Sequence, residues 1–206
     1  MINRFQYMTR IVCQENLYEA IESDKSVVES FIRSGKYINV SVFSLEDMLF
    51  LYCETEEKPT IGTLMPATTA ISQGWRLMDN VYYTAVPHSM ECWSRITGKE
   101  KLCRIGKLVP DKVDSYKKYH SLYMEEGIRK GDKYLCIALL GTTLFLYYES
   151  PEEPTCLRPD RTGESQVQKD WIKQNPPGHF DHSFSGEGNF ITLKAILTAG
   201  VEDIYE

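Results

Sequence analysis

Tyr116 and His120 stand four residues apart in KVDSYKKYHSLYM, where Val113, Tyr116, His120, Tyr123 and Met124 fall at the spacing of one helix face. Residues four apart on a helix sit one turn above each other, so phenol and imidazole share a surface. Imidazole ordinarily titrates at about pH 6.5, so His120 can give or take a proton near neutrality. Rings crowd the nearby sequence: Tyr119, Tyr123, Phe145, Tyr147, Tyr148 and Trp171. Walling a pocket between helix and sheet, they would offer faces for C–H groups and hydroxyls for polar ones, as a sugar requires. The commoner role of a His on a sheet-facing stripe is a core residue bonded to a tyrosine hydroxyl or a backbone carbonyl, and the rings could equally be core. A second cluster, His179, Asp181 and His182 in PPGHFDHSFSGEG, has metal-ligand residue types. Loop residues of these types are more often solvated than ligating, so no metal is expected.

The elements that must position these residues occur twice. LFLYCE at 49–54 returns as LFLYYE at 144–149. YINVSVFSLEDMLFLYCE (37–54) and YLCIALLGTTLFLYYE (134–149) both read as β-hairpins, the second with a turn two residues shorter. Upstream, 15–36 and 111–133 read as amphipathic helices ending in a basic residue and a glycine, Gly35 and Gly131. RFQYMTRIV and KLCRIGKLV precede them as strands. ATTAISQGWRLM with Trp75 and SQVQKDWIKQ with Trp171 follow as second helices, and MECWSRI (90–96) and NFITLKAIL (189–197) close each half as strands. The expected fold class is α+β: two tandem ferredoxin-like β-α-β-β-α-β repeats, 1–98 and 99–206, with the boundary at TGKE. A sheet with helices on one face must bury the other, so the expected architecture is an intrachain pseudo-dimer with the two sheets facing. The final TAGVEDIYE reads as a loose acidic tail.

The two copies differ where the chemistry would sit. With the repeats aligned on their tyrosines, Tyr18 matches Tyr116 and Glu22 replaces His120, with Trp75 the counterpart of Trp171. Composition narrows the classes further. A net charge of −6 leaves no basic stripe for nucleic acid. The N-terminus interrupts its apolar residues with Asn3, Arg4, Gln6 and Arg10, unlike a signal peptide or a membrane span, so no membrane association and cytoplasmic residence are expected. Cys13, Cys53, Cys92, Cys103, Cys136 and Cys156 lie too far apart for a zinc or redox motif and read as reduced, mostly buried thiols.

LVPDKVDSYKKYH (108–120), GIRKGDKYLCIALLGTTLFLYYES (127–150), and their first-half equivalents 1–22 and 34–54 resemble the L-rhamnose mutarotases, ferredoxin-like proteins of the dimeric α/β-barrel group. The chain departs from that family in SLYMEE (121–126), where only Glu126 agrees with the family's run after its His, and in having one Trp per second helix where the family has a pair. The resemblance implies cofactor-free anomer interconversion of a monosaccharide. His120 would be the acid/base, Tyr116 would orient it, and Trp171, Tyr147, Tyr148 and Tyr123 would hold the sugar, in a monomer or homodimer. Three alternatives stay open: a non-catalytic sugar-binding or sensing module, a barrel-type monooxygenase or haem-binding protein taking a planar apolar ligand, and an interaction scaffold.

Overall fold

The structure, a computed structural model, describes residues 1–87, 93–128, 131–155, 161 and 163–204. In chain order the first half contains β1 (Asn3–Arg10), α1 (Leu17–Arg33), β2 (Asn39–Leu45), β3 (Met48–Thr55), α2 (Ile61–Leu64), α3 (Pro66–Ala70), β4 (Arg76–Leu77) and β5 (Asp79–Tyr83). The second contains β6 (Glu100–Lys107), α4 (Val113–Glu126), β7 (Gly131–Asp132), β8 (Cys136–Leu140), β9 (Thr143–Ser150), β10 (Pro154–Thr155), α5 (Gln166–Lys173), α6 (His182–Ser185), β11 (Ile191–Lys194), β12 (Leu197–Gly200) and α7 (Val201–Ile204). The fold is mixed α+β, with antiparallel pairing throughout the registered strands.

Local chemistry explains most of these elements. In α1 the buried Ala20, Ile21, Asp24, Val28 and Ile32 recur three to four residues apart, and the helix stops before Gly35, whose φ is 73°. The duplicated strands β3 and β9 are unbroken apolar runs because they are central in their sheets, and every residue of β3 is buried. Both hairpins turn on two residues, Glu46-Asp47 and Gly141-Thr142, between the pairs Leu45↔Met48 and Leu140↔Thr143. The expected shorter second turn is therefore corrected. The turns are equal in length, and the missing residues come from β8, which has 5 residues against 7 in β2.

The chain forms two compact units. The first comprises Met1–Met78, Pro87–Lys101 and Lys194–Glu206, and its sheet runs β12-β2-β3-β1-β4. Its core packs Ile21, Val28 and Ile32 of α1 onto Val40, Val42, Leu51 and Leu197. The second comprises Asp79–Val86 and Leu102–Leu193, with the sheet β11-β6-β9-β8-β5. Each sheet thus completes itself with a strand from the other half of the sequence. β5 lies against β8, and β12 lies against β2.

Several expectations change with this exchange. The helix carrying Trp75 ends at Ala70, and Trp75 follows Gly74, whose φ of 92° turns the chain into β4. The closing strand of the first half is β5 rather than 90–96. Trp93–Ile96 form no strand, and Met90–Cys92 lie outside the described residues, as does Cys156. The first helix of repeat two, α4, stops at Gly127, with φ 67°, short of Gly131. The C-terminal segment is not loose through residue 204: it forms β12 and α7, and Glu202 of α7 pairs with Arg95 and Lys101 at 2.9 Å. No helix of the described residues is long and apolar enough to cross a membrane.

Candidate functional site

In the second unit α4 presents Tyr116, His120 and Tyr123 as its buried stripe. His120 is 9% exposed and lies on the Tyr116 ring, with centroids 4.0 Å apart and planes 26° apart. Tyr82, Tyr123 and Trp171 turn their edges or faces to it at 5.5, 6.1 and 6.2 Å. His120 Nδ1 lies 2.9 Å from the Tyr116 carbonyl oxygen. That oxygen can only accept, so Nδ1 carries the proton, and Nε2 is the basic nitrogen of the neutral ring.

Two devices bring Trp171 to this stripe. Glu126, at the end of α4, accepts from Gln166 N at 2.9 Å and from the Ser165 hydroxyl, fixing the start of α5. Ser165 in turn caps α5 by accepting from Gln168 N at 2.8 Å. Helix α5 then carries Trp171 back over α4, 5.0 Å from Tyr119 and 6.1 Å from Tyr116. Beyond it, His179 closes the 3₁₀ turn Pro176–His179 onto α4, its Nε2 3.0 Å from Ser115 Oγ and its Nδ1 3.3 Å from the Asn175 carbonyl. His182 is tied instead to the carbonyls of Gly188 and Pro177, and Asp181 accepts from Ser183. The two histidines and Asp181 therefore do not converge, and among the described residues no cluster has metal-ligand geometry.

Between α4, α5 and the sheet lies a cavity of about 480 Å³. Its floor is a row of cross-strand neighbours. Tyr82 opposes Ile137, and Ile137 opposes Leu146. A bulge between Asn80 and Tyr82 places Tyr82, rather than Val81, in that row. Tyr116, His120, Trp171 and Phe180 line the opposite wall, and Arg104 enters from β6.

The residues named from sequence thus divide. His120, Tyr116 and Trp171 line the cavity, and Tyr123 packs beside His120. Tyr147 faces away from it, fully buried, with its hydroxyl donating to Glu149 at 2.6 Å. Tyr148 is not in the lining either, and its ring lies under Arg104 at 4.9 Å. Tyr82, Thr84, Arg104 and Phe180 went unnamed. Arg104 alone left a trace, a charge between the buried Leu102-Cys103 and Ile105-Gly106 of β6, and it lines the cavity while staying exposed.

Among the described residues the first unit has no cavity at the position matching His120; Tyr18 and Glu22 instead line a separate hollow of about 490 Å³ with Leu17, Ile21 and Ile196. The 3₁₀ turn and helix of the first unit begin at Gln14 and Leu17, those of the second unit at Pro110 and Val113, 96 residues apart in both cases. The structural counterpart of His120 is therefore Asp24 and not Glu22. Asp24 is fully buried and accepts from Ala67 N at 2.8 Å, Thr68 N at 2.9 Å and the Thr68 hydroxyl at 2.5 Å, capping α3. Ile61, Leu64 and Met65 fill the space beside it. Tyr18 is 75% exposed, Glu22 is exposed, and Trp75 packs against the first core.

No family model matches the chain, and no curated protein matches it. Among solved structures it is similar to a candidate monooxygenase from Lactobacillus acidophilus NCFM, at 7% identity over 96% of both chains with a TM-score of 0.45. It is also similar to an anthrone oxidase-like protein, at 11% identity over 97% of this chain and 93% of that one, TM-score 0.43. A candidate monooxygenase from Fusobacterium nucleatum subsp. nucleatum gives 8% over 97% and 94%, TM-score 0.44, and a candidate chlorite dismutase gives 9% and a TM-score of 0.39. At such identities and scores these likenesses carry no argument about what this chain does.

The resemblance to the L-rhamnose mutarotases is corrected on the family comparison: no family model, a mutarotase model included, matches the chain. The site departs from that resemblance as well: Tyr147 and Tyr148, two of the four rings expected to hold a sugar, do not line the cavity. Isomerase activity and carbohydrate metabolism are withdrawn with it.

Proposed function

We propose that the second unit is the site of a barrel-type monooxygenase acting on a planar, weakly acidic aromatic compound, with His120 as the base. The observation that carries this reading is the His120 ring. It is nearly buried among aromatic side chains, and the bond from Nδ1 to the Tyr116 carbonyl orients it with Nε2 as the proton acceptor. The cavity lies within the range usual for small-molecule sites, and its ring-lined walls suit a flat ligand.

The chemistry needs an acidic C–H, as in a methylene between two aromatic rings of a hydroxylated tricycle. His120 takes one proton, and the resulting carbanion is electron-rich enough to reduce dioxygen. Collapse of the hydroperoxide expels water and leaves a ketone, so the methylene and one O2 become a carbonyl and one water, with all four electrons from the substrate. The haem alternative is not favoured, because Tyr116 covers one face of His120 and Tyr82, Tyr123 and Trp171 crowd its edges, leaving no flat slot at the imidazole.

The same proposal places the two tandem repeats as an intrachain pseudo-dimer with only the second site working, needing no macromolecular partner. It also places the chain in the reducing cytoplasm, where Cys53 and Cys103, whose thiols burial pushes well up, stay protonated.

The test is dioxygen uptake with a hydroxylated anthrone, comparing wild type with His120→Ala. Wild type should consume O2 and form the quinone, and the variant should lose about 10²–10⁴-fold in rate. Saturable binding with no uptake by wild type would replace the enzyme with a binding module.

A further inference from the structure

One end of the cavity is cationic, and the other holds an unsatisfied hydroxyl. Arg104 lines the cavity from β6, its guanidinium 4.9 Å over the Tyr148 ring, and no carboxylate of the described residues lies within ion-pair distance of it. Thr84, just beyond β5, is a lining residue of the same cavity, 1% exposed, and its Oγ1 is buried with no hydrogen-bond partner among the described residues. A buried hydroxyl without a partner is costly unless something else supplies one. The space that Thr84 occupies is kept open by Gly131, where an added Cβ would meet the Thr84 hydroxyl at 2.9 Å.

The other acidic groups in the lining do not cancel Arg104. Asp132 accepts from the backbone N–H groups of Glu149 and Glu153 at 3.2 and 3.1 Å. Glu152 is exposed and lies past the end of β9, six residues beyond Leu146 of the floor row.

The internal repeat sharpens the point. Strands β1 and β6 are both 8 residues long and begin at Asn3 and Glu100, so Arg104 stands where the first unit has Tyr7. In that unit Leu77 opposes Tyr7, Tyr7 opposes Leu51, Leu51 opposes Val42 and Val42 opposes Leu197, an uncharged row throughout. In the second unit the matching row runs Leu146, Ile137, Tyr82, and the strand equivalence puts Arg104 where the first unit has Tyr7. Of the two equivalent positions, only that of the second unit carries a charge.

Resting on the reading of this cavity as a ligand site, we propose that its ligand is an elongated polycyclic aromatic acid. Its anionic group pairs with Arg104, its far edge hydrogen-bonds Thr84, and its central carbon lies beside His120. Strands β5 and β6 are three places apart in the sheet, about 14 Å between backbones, a span that calls for an elongated ligand. Guanidinium stacked on an aromatic face and aimed at an anion is a strong, orienting pair.

The test is calorimetric titration of the full chain with anthracene-2-carboxylate and with anthracene-2-carboxamide. Wild type should prefer the carboxylate by about tenfold or more. Arg104→Gln should erase that preference while keeping carboxamide binding, and Arg104→Lys should restore part of it. Thr84→Val should weaken both ligands about threefold to tenfold yet raise thermal stability, because it removes an unsatisfied hydroxyl at constant shape. An unchanged carboxylate preference in Arg104→Gln, or binding of neither compound to wild type, overturns the proposal. The oxygenase reading fails separately, on oxygen uptake, and these titrations involve no turnover.

Discussion

Glu54 and Glu149 occupy the same place in the two copies of LFLYxE, and each accepts from the tyrosine two residues before it, Tyr52 and Tyr147, at 2.6 Å. A buried carboxylate near the end of each strand gives the repeated spelling a shared role, with the tyrosine two residues before it supplying a donor. Glu54 is completed by Arg95, 2.9 Å from both oxygens, and by Trp93 Nε1 at 3.0 Å. Arg95 also reaches Glu202, which Lys101 holds from another side. Arg95→Met should cost about 3–5 kcal/mol in urea unfolding, because Glu54 is left charged and buried. Burial pushes the Glu202 carboxyl up, but Arg95 and Lys101 outweigh it and hold the group below the ordinary carboxylate range. Its stabilising contribution is therefore full above that range and lost as pH falls through it. Acid unfolding of Glu202→Gln should show a flatter limb below about pH 5 than wild type.

At the scale of elements, both halves use a carboxylate on the first helix to fix the start of the second helix, but from different places. Asp24 does so from the middle of α1, and Glu126 from the end of α4. The six-residue difference from Asp24's counterpart, His120, to Glu126 shifts the attachment by about 9 Å along the helix. In the first unit the cap therefore sits where the second unit has its cavity. Asp24→Ala should destabilise the chain by about 1–3 kcal/mol in chemical denaturation, since three donors lose their acceptor. It should leave ligand binding in the second unit unchanged. The amphipathic faces of α1 and α4 were legible in sequence as apolar spacing, and so was α5. The pairing of His120 with Glu22 was not correct, because it followed matching tyrosines rather than helix starts, and a two-residue slip moves a side chain to another face of the helix.

For the whole molecule, the boundary at 98–99 divides the repeats in sequence but cuts across both sheets. A fragment of residues 1–98 carries β5 without its partner β8, and a fragment of 99–206 carries β12 without β2. Each fragment exposes a hairpin edge that the other covers. Expressed alone, both should lack cooperative thermal transitions by circular dichroism, whereas mixing them should restore one. Two fragments that each melt cooperatively in isolation would contradict the exchange. The exchange also carries Tyr82 and Thr84 from the first half into the cavity, so binding should appear only in the mixture.

Sequence by itself determined what periodicity and repetition encode: the α+β class, two copies, the central strands, the stripe of Tyr116, His120 and Tyr123, and Trp171 on a second helix. Those features depend on neighbours a few residues away, and the chain spells them locally. Tertiary structure alone decided which sheet edge β5 and β12 complete, which helix position caps the next helix, and that Tyr82, Thr84 and Arg104 meet at one cavity. Strand partners are set by hydrogen bonds between backbones far apart in sequence, and a cavity by where side chains fail to fill space, so neither leaves a local pattern. The chemistry of the cavity followed from the second kind of information. A row of rings reads the same whether it binds a sugar or a flat aromatic acid, until its polar atoms are located.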